Sequence, residues 1–289
     1  MNTPLAKGTL VFSVRVIFSL SCLLFLFVAC PQPEPVYDDD LGLQAISVEP
    51  GSLAGKFAQK HSILSVSDLP ILGEQVNGGE TYMLVDRTWN EESETYSQVS
   101  TVCNGVSYET GGTTTTILKD TWRSVPPSEG DELTVDHELG TYQLKRHLQL
   151  WGIDLPDPYE TPMPASQAEA LQSPHSERIY DADDDGHPGT TLFLDGFIVA
   201  EVYFIQRKEL ELDGYIVEDD LFTGLARADY EQVTIGSDNS SVNDSIKKED
   251  HPNPKESWFE EIRLSDDADC NDVDNAILEG KITRLNPFL

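Results

Sequence analysis

Three aspartates stand at alternate positions, Asp181, Asp183 and Asp185, and Gly186 and His187 follow at once. Carboxylates at i, i+2 and i+4 converge only if the backbone curls around a common centre. A glycine at the next position supplies the positive φ that such a sharp turn requires. A ring of carboxylate oxygens suits a hard divalent cation, and the order D-x-D-x-D-G points to calcium. In this arrangement His187 contributes its backbone carbonyl, with its ring turned away.

The run continues through Pro188 and Gly189. Its spacing resembles the calcium loops of EF-hand, dockerin and thrombospondin type 3 proteins, and D-x-D-x-D-G-x-P-G is most similar to the last. An EF-hand closes its loop with a bidentate glutamate at position twelve, where this chain has Leu192. Thr190 to Leu194 reads as a strand instead of a flanking helix. The remaining ligands must therefore come from elsewhere, and Asp195 and Glu201 are the nearest candidates in sequence. The plain alternative is a solvated acidic turn that holds no metal.

The elements that must position this loop begin with the N-terminus. Met1 to Ala29 carries Lys7 and Arg15, no acid, and an apolar run from Val16 to Ala29. That run is shorter than the ~20 apolar residues of a membrane-spanning helix. A basic start, an apolar stretch and small residues before a break make a secretory signal peptide over residues 1–29. Phe27-Val28-Ala29-Cys30 resembles the bacterial lipobox, with Phe27 where leucine is usual. The resemblance implies that Cys30 becomes the first mature residue and is lipid-modified. Pro31, rather than aspartate, follows that cysteine. By resemblance to Gram-negative lipoproteins this implies the outer membrane, on its periplasmic face or at the cell surface, with the membrane as partner through the lipid. Residues 30–50, rich in proline and acid at their start, read as a disordered tether.

The chain of 289 residues has 19 Lys+Arg and 51 Asp+Glu. Without Lys7 and Arg15 the remainder carries 17 cations against 51 acids, a formal charge of −34. Such a field repels nucleic acid, which is excluded as a partner, and attracts divalent cations. With 39% hydrophobic residues the body is still able to build a core. Beyond Cys22 and Cys30 two cysteines remain, Cys103 and Cys270. In an oxidising compartment they read as one disulfide, with two free buried thiols as the alternative.

The body, residues 51–289, reads as β throughout. Runs of aromatic and β-branched residues lie near 55–64, 82–89, 96–103, 113–118 and 121–125, then 139–151, 190–194 and 197–206, and finally 221–225, 230–235 and 258–264. Asp213-Gly214 signals a hairpin turn. Residues 152–180, broken by five prolines, read as a long loop with a turn or two of helix at 165–171, leading into the calcium loop at 181–189. Residues 236–256 read as a flexible excursion. A second acidic cluster, Asp266 to Asp274, lacks the glycine and reads as a helix N-terminus capped near Asn271. These features imply an all-β antiparallel fold with little helix, either an up-and-down barrel or a two-sheet sandwich. Gly51-x-x-Ala54-Gly55-x-Phe57 and the hairpin series resemble lipocalin-like barrels.

There is no nucleophile elbow, zinc helix or phosphate-binding glycine loop, and His61, His137, His147, His175 and His251 have no ligand spacing in sequence. The chain thus reads as a non-enzymatic, lipid-anchored envelope protein with a structural calcium loop. A lipocalin-like carrier of a small hydrophobic ligand needs an apolar cavity within the barrel. A calcium-dependent hydrolase of envelope polysaccharide needs two carboxylates across a cleft.

Overall fold

The computed structural model describes residues 41–69, 73–108, 112–129, 132–242 and 248–283. The chain divides into residues 1–36 and 37–289. The first unit, with the expected signal segment and Cys30, lies outside the described residues, and the second unit is described below.

The strands in chain order are β1 (Gly55–Leu69), β2 (Gly73–Asn90), β3 (Thr95–Ser107), β4 (Thr113–Thr116), β5 (Ser128–Glu129), β6 (Glu132–Asp136), β7 (Thr141–Trp151), β8 (Thr190–Gly196), β9 (Ala200–Glu218), β10 (Leu221–Ser237), β11 (Lys248–Asp250) and β12 (Trp258–Arg263). Among the described residues three short α-helices accompany them, α1 (Lys119–Arg123), α2 (Gln167–Ala170) and α3 (Cys270–Leu278). All the strands join one sheet, and eight of them close into a ring in the order β1-β2-β3-β6-β7-β9-β10-β12, with β12 returning to β1. The fold is an all-β, antiparallel, up-and-down barrel. Closure leaves the ring without free edges.

Alternation explains which side chains fill it. Along β9 the residues Val202, Phe204, Gln206, Lys208, Leu210, Leu212 and Ile216 are buried, while their odd-numbered neighbours are mostly partly or fully exposed. That is the period of two expected of a strand with one face inward. Phe57, Val85, Tyr142, Leu144, Leu210, Leu212, Phe222 and Phe259 form the main apolar core. Ile46 and Val48 pack against it from the N-terminal segment. The amide of Ile46 bonds the Ile216 carbonyl at 2.8 Å and that of Val48 bonds the His137 carbonyl at 2.9 Å. Residues 41–50, expected within the loose tether, therefore lie against the barrel, because Ile46 and Val48 are partly buried on its core.

The centre of the barrel is polar. Arg87 and Glu261, neither with any exposed side-chain surface, form an ion pair at 3.0 Å. Arg87 also donates to Gln98 and to the Tyr142 hydroxyl, at 3.2 Å each, and its guanidinium lies 4.8 Å from the centre of the Phe57 ring. Gln59, His61, His147, Gln149 and Lys208 are buried in the same interior. The space an apolar ligand would need is thus taken by large, hydrogen-bonded side chains. Two depressions among the described residues lie elsewhere. One, of about 840 Å³, is lined by Val48, Glu49, His137 and Arg263, and the other, of about 280 Å³, by Tyr159, Arg207 and Glu231.

Outside the barrel, α3 covers β1, β2 and β3. Val273, Ala276 and Ile277 pack on Ala58, Tyr82 and Cys103, and Cys103 is bonded to Cys270 in the expected disulfide. The helix is capped by Asp269, two residues before Asn271. Its carboxylate accepts from the Asn271 amide at 2.7 Å, and Asp272 reaches back to the Asp269 amide. This reciprocal capping box satisfies more of the free N–H groups than a cap at Asn271 would.

Other elements differ from the sequence reading for identifiable reasons. Residues 121–125, read as a strand, belong mostly to α1, since Trp122 turns inward onto Trp151 at 5.1 Å between ring centres. Asp213-Gly214 is no turn; β9 runs straight through it to Glu218. A Cβ on Gly214 would meet Phe259 at 2.6 Å and the Thr223 carbonyl at 2.7 Å, so this glycine serves close strand contact. The separate strands at 221–225 and 230–235 are one, β10, and β6 was not anticipated. The excursion at 236–256 holds the end of β10, two 3₁₀ turns and β11, with residues 243–247 outside the described residues.

Candidate metal centre

The Asp-rich loop is the last part of the connection from β7 to β8. The chain leaves the barrel at Gly152, whose left-handed φ of +64° turns it. It runs through α2 and a 3₁₀ turn, then comes back beside its own start. The amide of Asp154 bonds the Arg178 carbonyl at 2.9 Å and that of Tyr180 bonds the Gly152 carbonyl at 3.2 Å. The loop itself closes between Tyr180 and Gly189, with the Gly189 amide on the Tyr180 carbonyl at 2.8 Å and the Ala182 amide on the Gly189 carbonyl at 2.9 Å. Gly152 and Gly189 touch backbone to backbone at this base. A Cβ on Gly152 would lie 2.6 Å from the Gly189 Cα.

Inside the closed loop the three carboxylates converge. One oxygen from each of Asp181, Asp183 and Asp185 lies within 4.8 Å of the others. Oxygens sharing a calcium ion at 2.3–2.6 Å can be at most about 5 Å apart, so the cluster falls within that limit. Asp184 and Gly186 carry the turn with φ of +57° and +91°. Both oxygens of Asp181 accept backbone amides, from Asp185 at 3.2 Å and from Gly186 at 2.8 Å. Asp185 accepts from the His187 amide at 2.8 Å and from the Thr191 hydroxyl.

Asp183 is the most constrained of the three. Its Oδ2 accepts from the Thr191 amide at 2.9 Å and the Thr121 hydroxyl at 3.2 Å. Its Oδ1 is buried and has no hydrogen-bond partner. Burial pushes this carboxyl above the usual range. The Thr191 hydrogen bond works against the rise, and the charges of Asp185 and Asp181 add to it. An oriented carboxylate with one buried lone-pair oxygen is suited to a cation, which would relieve both the burial and the repulsion. The donor set fits a hard divalent ion, since every candidate atom is oxygen.

Two expected ligands are not brought in. Asp195 sits on β8 opposite Thr114, and Glu201 on β9 opposite Phe193, both exposed and neither part of the cluster. Asp195 shares the face of Thr191 but lies four residues, roughly 13 Å, further along β8, and Glu201 accepts from the Tyr203 hydroxyl at 3.4 Å. The His187 ring does point away, stacked on Tyr203 at 4.1 Å. Thr121 and Thr191 are the functional side chains that the sequence did not reveal. Thr191 follows the motif by two residues as a hydroxyl donor, a local signal, whereas Thr121 arrives from α1 through the fold alone.

Comparison of the chain with family models, with curated proteins and with solved structures gave no match.

Proposed function

We propose that this chain is a lipid-anchored protein of the cell envelope, held at the outer membrane through Cys30, whose barrel carries a structural calcium site formed by Asp181, Asp183 and Asp185. The observation that carries the calcium reading is the buried, unpartnered Oδ1 of Asp183 at the centre of an acidic trio whose other oxygens are oriented by hydrogen bonds. The role of the ion is mechanical. The residues between β7 and β8 include little regular structure, and a cation shared by three carboxylates fastens their end to β8 through Thr191 and to α1 through Thr121. The anchor and the envelope location are supported by the lipobox-like Phe27 to Cys30, and by a disulfide of the kind that oxidising compartments permit.

Nothing favours a hydrophobic-ligand carrier, because Arg87, Glu261, His61, His147 and Lys208 occupy the barrel interior. The hydrolase reading has no stronger support. In the smaller depression Arg207 already holds Glu231, with its Nη1 on the Thr161 carbonyl at 2.8 Å.

Thermal melting tests the proposal. Calcium at a hundred times its dissociation constant stabilises a protein by about 2.7 kcal/mol, which for a domain of this size raises Tm by roughly 5–10 °C. Chelator should remove that increment, and Asp183→Asn, with binding at least about tenfold weaker, should show no more than about half of it. A wild-type Tm indifferent to calcium and chelator would overturn the reading.

A further inference from the structure

The interior contains a relay that fixes the state of one histidine. Glu261 accepts from Arg87 and, at 2.5 Å, from the Gln59 side-chain amide. The nitrogen of that amide is thereby committed to Glu261, so the Gln59 oxygen must face the other way. It lies 2.7 Å from His61 Nε2. A carbonyl oxygen accepts, so Nε2 carries the proton and the ring is the neutral Nε2–H tautomer. The other nitrogen, Nδ1, is then a lone-pair acceptor. It is buried and unpartnered, and His61 has no exposed surface.

A second proton on this ring would sit on Nδ1, where no acceptor waits. His147 on β7 stands edge-to-face at 6.2 Å between ring centres. Lys208 on β9 also faces His61 and opposes a positive charge there, and it approaches the Tyr230 ring of β10 at 5.8 Å. From β2 comes Arg87, a further cation, and from β3 the neutral Gln98. Tyr142 on β7 contributes a hydroxyl that accepts from Arg87. Glu261 on β12 is the carboxylate of this network, and Arg87 and Gln59 already use it.

We propose that the barrel centre is a proton-sensitive lock, in which the Glu261–Gln59 relay fixes His61 as the Nε2–H tautomer, burial with no acceptor at Nδ1 keeps the ring neutral, and the barrel weakens when the surroundings turn acidic. The proposal does not depend on the calcium loop. Burial, with smaller contributions from Lys208 and His147, holds the His61 pKa well below 6.5 in the folded chain. The unfolded chain takes up this proton near pH 6.5. The stability that neutral His61 supplies is thus fully present above about pH 6.5 and is lost as pH falls from there toward the depressed folded value. The loss is at most about thirtyfold in the folding equilibrium constant between pH 7.5 and 5.0, the limit set by the unfolded chain's proton uptake near pH 6.5.

The test is urea unfolding of the purified protein with chelator present, at pH 7.5 and 5.0, for wild type and His61→Gln. Glutamine keeps a side-chain N–H for Gln59 and cannot gain a proton. Wild type should lose more of its folding equilibrium constant than the variant over this interval, by up to about thirtyfold. Equal losses would overturn the proposal. A second measurement stands apart from the variant's ability to fold. Long-range ¹⁵N–¹H spectra of the wild-type histidine rings should show His61 as the neutral Nε2–H tautomer throughout this range while the protein stays folded. An imidazolium at His61 in the folded protein at pH 5.5 would also overturn the proposal.

Discussion

Replacing Arg87 by methionine probes the centre of the barrel directly. The two are of comparable length, so the change chiefly removes the charge and the donors. It deletes contacts with Glu261 at 3.0 and 3.1 Å, with Gln98 at 3.2 Å and with Tyr142 at 3.2 Å, from a side chain with no solvent exposure. The intact pair adds little net stability over an apolar pair of similar volume, because removing both ions from water costs about what their attraction returns. The single variant is different, since it leaves the Glu261 carboxylate buried with only Gln59 to bond it. A widowed buried charge costs about 3–5 kcal/mol, a large share of the roughly 5–15 kcal/mol that keeps a typical domain folded. The double variant Arg87→Met with Glu261→Leu removes the stranded charge and should recover most of the loss. What remains is the unpaired Gln59 amide, at about 1–3 kcal/mol. Urea unfolding at neutral pH, followed by tryptophan fluorescence, measures all three proteins, with the packed pair Trp122 and Trp151 as reporters. A single variant that loses less than about 1 kcal/mol, or a double variant no more stable than the single, would refute this account of the interior.

Reducing the Cys103–Cys270 bond opens a crosslink with a sequence separation of 167 residues, and the chain-entropy relation places its contribution at about 5 kcal/mol. Melting of Cys103→Ala/Cys270→Ala beside the oxidised protein checks this, and a shift below about 1 kcal/mol would show that α3 is held by its apolar face alone. Gly214→Ala places a methyl group 2.6 Å from Phe259 and should cost about 1–3 kcal/mol by overpacking in chemical denaturation. A neutral result there would mean that β9 and β12 have room to part.

Much of this fold is written in local pattern. Thr190 to Leu194 is a strand as its β-branched and apolar residues imply, and Trp258 to Leu264 is a strand but for its last residue. The Asp trio is legible because D-x-D-x-D-G forms its curl from neighbouring residues alone. Local pattern misleads where a distant partner decides the outcome. Asp213-Gly214 has the composition of a turn, yet Gly214 is needed for the strand packed against it. Thr121 to Val125 alternates like a strand, but Trp122 gains more by entering the cluster with Trp151 and Phe204. Lys119 and Arg123 then reach Asp274 on α3. Asp195 and Glu201 are close to the loop in sequence and outside its cluster in space. Gln59, His61, Arg87, His147 and Glu261 carry no sequence signal of their common location. They meet only because ring closure brings β1, β2, β7 and β12 around one axis.

Calorimetric titration of calcium into chelator-treated protein, with Asp183→Asn alongside, tests the metal centre most directly. Wild type should bind one ion, and the variant, in which an amide replaces the carboxylate bearing the buried free oxygen, should bind at least about tenfold more weakly. Heats that are the same for both proteins, or a wild type that takes up no calcium, would contradict the claim that these three aspartates form a cation site.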